Sequence, residues 1–127
     1  MFLDYYEPMG ITKVKLIIKN PYNLSKTIEG IFLVDSGAHY TVLPQSVVKT
    51  LGLKPSYEQE FSLTDGRTVK RYISGAVINF EGKELPVPVV LGEKNDDPLL
   101  GVTTLESFGL MIDPFKRRIY HSKLMLG

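Results

Sequence analysis

Residues 13–19 read Lys-Val-Lys-Leu-Ile-Ile-Lys. Val14, Leu16 and Ile18 fall on one side of an extended chain, while Lys13, Lys15 and Lys19 fall on the other. Successive side chains of a strand point to opposite faces, so this period of two specifies a strand with one face in a core and one in water. A helix would scatter the same apolar residues around its axis. Asn20-Pro21-Tyr22-Asn23 follows as a turn cluster. Thr27 to Val34 reads as a second strand. Its end, Ile31-Phe32-Leu33-Val34, is apolar at every position and is expected in the interior.

The same kind of signal recurs down the chain. Tyr57, Phe61 and Leu63 alternate with Glu58, Glu60 and Ser62, and Asp65-Gly66 is a strong hairpin turn before Val69 and Ile73. Glu81-Gly82 is a second turn, leading into Leu85 to Leu91. Pro86 and Pro88 confine that segment to an edge or a bulge, because proline has no N–H to give to a ladder. Gly92 to Pro98 is a polar loop, in which Asp96-Asp97 reads as solvated. Leu110 to Asp113 and Arg117 to Tyr120 read as final strands, and Asp113 is placed to pair with Lys116 or Arg117 in a turn.

Two short helices interrupt the strands. Pro44 suits a first helical turn, Val47, Val48 and Leu51 recur at helical spacing, and Gly52 fits the position just past the helix end. After Gly101, Thr103 and Glu106 have the spacing of a capping box, and Gly109 can close the helix after Phe108. Many short strands in 127 residues predict one all-β domain spanning 1–127, a small barrel or sandwich with one or two short helices.

Composition narrows the function. Fifteen Lys and Arg against 14 Asp and Glu leave a net charge of +1, so no basic field draws in nucleic acid or an anionic membrane. With no cysteine there is no thiolate nucleophile and no Cys-ligated zinc. No apolar run approaches the roughly 20 residues that span a bilayer. Met1 to Glu7 lacks the basic and apolar regions of a signal peptide. The expectation is a cytoplasmic protein without cofactor or metal.

The stretch that carries chemistry is Phe32-Leu33-Val34-Asp35-Ser36-Gly37-Ala38. An apolar strand runs straight into a carboxylate, a hydroxyl and a glycine. An unpaired buried charge costs several kcal/mol, so stability alone does not account for Asp35 there. Gly37 permits an unusual backbone angle or a close approach by another chain. The plain alternative is an Asx-turn at a strand end. Later, Pro98-Leu99-Leu100-Gly101 is a second apolar strand ending in glycine, followed by a short helix and Leu110-Met111-Ile112-Asp113.

The two motifs in this order resemble the retropepsin-like aspartic proteases, over roughly Val14 to Tyr120. The helix from Thr41-Val42-Leu43-Pro44 to Leu51-Gly52-Leu53 is similar to that of the small single-domain bacterial and archaeal members. The resemblance implies an acid-protease-like closed barrel. It matches Asp35 to the catalytic aspartate, and Ser36, Gly37 and Ala38 to the active-site turn. It matches Leu99, Leu100 and Gly101 to the supporting segment beneath the turn, and Thr64, Asp65, Gly66 and Arg67 to the flap over substrate. Val34, Ala38, Val69 and Leu100 are implied pocket or near-pocket residues. After Gly101 this chain has Val102 and Thr103, where retroviral members place Arg and a polar residue.

The implied chemistry needs two carboxylates. About 3 Å apart they cannot both ionise easily, so they share a proton and divide the base and acid roles. This chain has one Asp-Ser-Gly, so the implied active form is a homodimer with one Asp35 from each chain, cleaving a peptide or protein substrate. Tyr120 to Gly127 is a candidate interface segment or a chain end folded on its own core. The alternative function is a catalytically inactive binding or dimerisation module on the same fold. His39 reads as a plain surface or packing residue, or as one that touches substrate or tunes the dyad. Lys70-Arg71 and Arg117-Arg118 read as solvated strand faces. Tyr5, Tyr6 and Tyr57 read as ordinary packing residues or interface aromatics.

Overall fold

The structure, a computed structural model, describes residues 13–113, 115–116, 118–123 and 126. The expectations on Met1 to Glu7, Tyr5 and Tyr6, on Pro114 and Arg117, and on Leu124, Met125 and Gly127 of the candidate interface segment lie outside the described residues.

Among the described residues, nine strands and two helices follow one another as β1 (Lys13–Asn20), β2 (Asn23–Val34), β3 (Thr41–Leu43), α1 (Gln45–Leu51), β4 (Tyr57–Ser62), β5 (Thr68–Phe80), β6 (Lys83–Leu91), β7 (Leu99–Leu100), α2 (Val102–Ser107), β8 (Leu110–Asp113) and β9 (Arg118–His121). Seven strands pair in the order β1-β2-β7-β3-β6-β5-β4, and β1 also pairs β5, which closes six of them into a ring with β4 outside it. The chain is therefore mostly β with two short helices, as expected. Two pairings in the ring are parallel, β2 with β7 and β3 with β6. β8 and β9 form a separate antiparallel pair.

Alternation builds the core. Val14, Leu16 and Ile18 of β1 point inward and meet Phe32 of β2, Ile78 of β5 and Val89 of β6. Leu51 of α1 and Leu105 of α2 complete the cluster. Ile31 and Leu33 do not join it: they are 55% and 38% exposed, against 1% for Phe32. The apolar end of β2 thus obeys the same period of two as the rest, and only one of its faces meets the core.

Other boundaries also shift. β2 begins at Asn23 rather than Thr27, because its polar start pairs with β1 across the Pro21-Tyr22 turn (Lys19 opposite Thr27, Asn20 opposite Asn23). Backbone ladder bonds, rather than burial, extend it. Pro44 stands just before α1, at the N-cap, and Gly101 does so for α2 with no side-chain cap. Thr103 therefore lies inside α2, and the capping box does not form.

The turn glycines behave as expected. Gly52 and Gly109 close their helices with φ of +65° and +72°. Glu81 and Gly82 both take positive φ between Phe80 and Lys83, the two-residue hairpin that suits the twist of its strands. Pro86 and Pro88 pair with β5 on one side only, while Val89–Leu91 also pair with β3. A proline nitrogen facing the free side leaves that edge short of donors, which guards it against strand addition.

Candidate active site

Asp35 sits at the end of β2, half-buried, where the ladder with β7 stops. Its N–H donates to the Leu100 carbonyl at 3.2 Å, and its own carbonyl accepts from the Ala38 N–H at 3.1 Å. Its Oδ1 accepts from the Gly37 N–H at 2.8 Å. These bonds form a tight Asx-type turn whose carboxylate remains at the surface, beside the exposed Ser36. Gly37 does not take a positive φ; a Cβ there would stand 3.3 Å from Asp35 Oδ1. The unusual backbone angle is therefore absent, and the missing side chain leaves room for the carboxylate that its N–H orients.

The two sequence motifs come together. The Val102 and Thr103 N–H groups donate to the Ala38 and His39 carbonyls, each at 2.9 Å, and the Leu33 N–H donates to the Pro98 carbonyl at 3.0 Å. Gly101 lies so close beneath the loop that a Cβ would fall 2.3 Å from the Tyr40 carbonyl carbon and 2.4 Å from its oxygen. Only a residue without a side chain fits there.

Two threonines strengthen this floor, and the motif spacing did not reveal them. Thr41 Oγ1 accepts from the Gly101 N–H at 3.1 Å and lies 2.6 Å from Thr104 Oγ1. Both threonines are buried. Gly92 repeats the logic of Gly101 at the next strand end: its N–H donates to the Leu43 carbonyl at 2.8 Å, and a Cβ would stand 2.2 Å from that oxygen. The available signal was the repeated apolar-apolar-glycine pattern, Val90-Leu91-Gly92 and Leu99-Leu100-Gly101.

Of the expected pocket or near-pocket residues, Val34 and Leu100 are buried in the core. Ala38 and Val69 are half-buried. Leu33, which shares a face with Asp35 by alternation, is exposed and lies opposite the half-buried Leu99. A groove of about 350 Å³ lies elsewhere, at the root of β4, between Ser56, Tyr57, Ser74 and the Pro86–Pro88 segment.

The hairpin of β4 and β5 carries residues 64–67 at its tip. Its pairing ends at Ser62 opposite Thr68. The Gly66 N–H donates to the Leu63 carbonyl at 3.0 Å, the Leu63 N–H to the Arg67 carbonyl at 2.7 Å, and Gly66 has a φ of +88°. This is the three-residue loop with a glycine bulge. Asp65 accepts from the Arg67 N–H at 3.0 Å and from its Nε at 2.7 Å, so the tip is tied to itself.

Farther along, the side chains contradict two solvated readings. Arg71 Nε and Nη2 donate to Asp96 Oδ2 and Oδ1 at 2.7 and 3.1 Å, and both side chains are largely covered. Asp96 also accepts from the Glu93 N–H at 2.7 Å. The guanidinium bonds hold the Asp96 carboxyl below the ordinary carboxylate range, against the opposing effect of its burial. The Asp96 bond likewise raises the Arg71 pKa. Arg118 is half-buried rather than solvated, and Asp113 accepts from the Phe115 and Lys116 N–H groups as the expected turn. Among the described residues no group of three or more His, Asp or Glu is placed to hold a metal, and no helix is long and apolar enough to cross a membrane.

Comparison with known proteins agrees with this geometry. Residues 26–107 match the family model described as gag-polyprotein putative aspartyl protease. The fold is similar to the crystal structure of a retropepsin-like aspartic protease from Rickettsia conorii, with a TM-score of 0.66 and 22% identity over 96% of this chain and 91% of that one. It is also similar to EIAV protease complexed with the inhibitor HBY-793, with a TM-score of 0.62 and 16% identity over 95% and 98% of the two chains. No curated protein matches the sequence.

Proposed function

We propose, for a chain that belongs to the family of gag-polyprotein putative aspartyl proteases, that it is an aspartic endopeptidase whose catalytic group is Asp35. The observation that carries the reading is the placement of that carboxylate. It stands at the surface end of β2, oriented by the Gly37 N–H, on a loop bonded to the Gly101 segment beneath it. A group held so firmly has little reorganisation left to do during reaction.

One carboxylate is insufficient for the chemistry, so the working unit is a homodimer with Asp35 of two chains facing across the axis and Ser36 beside each. Singly protonated, the pair takes a proton from water on one side and gives one to the peptide carbonyl oxygen on the other. The water oxygen bonds to the carbonyl carbon. The C–N bond then breaks, the amine leaves with a proton, and a carboxylic acid remains. Residues 64–67 close over an extended peptide, and the exposed Leu33 contributes apolar surface beside Asp35.

The test compares wild type with Asp35→Asn on a diverse peptide library across acid to neutral pH, alongside melting and sedimentation. Asn keeps the shape and removes the ionisable proton. Cleavage should fall by about a thousandfold or more, with folding intact and dimerisation retained or tightened. Wild-type activity should follow a bell in pH whose two limbs belong to the coupled pair. Cleavage retained by purified Asp35→Asn, or full specific activity in a proven monomer, sinks the mechanism. Absence of cleavage in wild type favours the non-catalytic module.

A further inference from the structure

The flap hairpin is weakly anchored through its backbone. Among the described residues β4 is the end strand of the sheet and pairs only with β5. Its side chains reach farther. Tyr57 and Phe61 stand four residues apart, so period two puts both on the same face of β4. That face meets Tyr40, the residue that ends the active-site loop.

Tyr40 is well placed to transmit position. Its backbone is seated against Gly101, with no room for even a Cβ between them. Its ring lies edge-on to Phe61, with centroids 6.2 Å apart and planes at 85°, and edge-on to His39 at 4.7 Å and 80°. Such edge-to-face pairs are directional, since the ring edge of one meets the π-face of the other. Burial, and next the Tyr57 hydroxyl beside it, raise the Tyr40 hydroxyl above the ordinary tyrosine value. One ring therefore has its root in the active-site loop and its edge and hydroxyl on the hairpin.

We infer that Tyr40 is a positioning residue that sets the resting position of the flap relative to Asp35, through its ring contact with Phe61 and its hydroxyl beside Tyr57. This rests on the protease reading for its functional meaning, but the coupling itself is measurable without any substrate. Cleavage would require the flap to leave this resting seat and return. Loss of the seat would then raise KM more than it lowers kcat, because the catalytic carboxylate is untouched.

The chain has no cysteine, so spin labels can be placed at will. Lys49→Cys on α1 and Glu60→Cys on the face of β4 opposite Tyr57 report the flap position by pulsed EPR, with labelled chains diluted in unlabelled ones. Tyr40→Leu should widen the distance distribution by roughly twofold or add a second population. Tyr40→Phe and Tyr57→Phe should each produce the same smaller change, and the double variant no more than either alone, since the two hydroxyls act together. An unchanged distribution in Tyr40→Leu with an unchanged melting temperature overturns the inference. If Tyr40→Leu does not fold, unchanged distributions in both phenylalanine variants overturn it equally. A wild type that cleaves nothing, yet shows the expected broadening in the variants, refutes the protease reading and leaves the coupling standing.

Discussion

The active-site loop and the flap hairpin are built on opposite principles. Residues 35–40 are held by backbone: four hydrogen bonds of 2.9–3.2 Å link Leu33, Asp35, Ala38 and His39 to the 98–103 segment, and one of 3.1 Å closes the loop from Ala38 to Asp35. A glycine and two buried threonines fill the space beneath. The outer part of the hairpin, residues 57–71, has a ladder of its own, a tip whose Asp65 bonds Arg67, and side-chain contacts to Tyr40 and Asp96. Backbone floors resist displacement because each unmade buried bond is costly, whereas aromatic contacts slide and re-form. A chain that must present a carboxylate accurately and still admit a peptide needs one region of each kind.

Gly101→Ala should damage the rigid region most. The new methyl meets backbone at 2.3–2.4 Å, and neither strand nor loop can yield cheaply. A loss of about 3 kcal/mol, read by chemical denaturation, is expected, with the loop displaced. A stability within experimental error of wild type would show that the floor is softer than its bonds suggest.

Asp96→Asn should cost roughly 2 kcal/mol, the weight of a charge-assisted pair. Asp96 and Arg71 join the 92–98 loop, which leads into β7, to the inner strand of the hairpin. A carboxyl whose folded pKa is held down stabilises fully above its unfolded value, and that stability disappears as pH falls through the folded value. The wild-type advantage over Asp96→Asn should therefore be complete at neutral pH and shrink below about pH 4. Melting curves across pH check this, and a constant difference down to strong acid would remove the ion pair as its source.

Gly66→Val bears on the mobile region, with a fold-level cost of about 1–2 kcal/mol from a left-handed backbone that valine disfavours. No other residue comes within 4 Å of the new side chain. Turnover should suffer more than folding, seen as a much lower kcat/KM beside a melting temperature that falls by only about 3–10 °C. Unaltered kcat/KM would separate the hairpin from the lid role.

Much of this was legible in the chain. Val14, Leu16 and Ile18 announced their strand, Asp65-Gly66 and Glu81-Gly82 their hairpins, and Gly52 and Gly109 their helix ends. Each of these depends on neighbours within a few residues, where sterics and alternation act directly. The Asp35 and Gly101 motifs could be read separately, although the bonds joining them could not.

Tertiary closure decided the rest. Thr41 finds Thr104 across 63 residues, and Arg71 finds Asp96 across 25. Neither pair leaves a local trace, since a threonine or a Lys-Arg pair reads the same whether solvated or paired. Asn23–Lys26 joins β2 because β1 lies alongside, although its one apolar residue, Leu24, is exposed and no alternation marks it. Ile31 and Leu33 show the converse. Their hydrophobicity predicted burial, but a strand has two faces and the ring needed only one. Local pattern specifies how a segment can be extended or coiled. Which partner then meets each face depends on how the ring of strands closes.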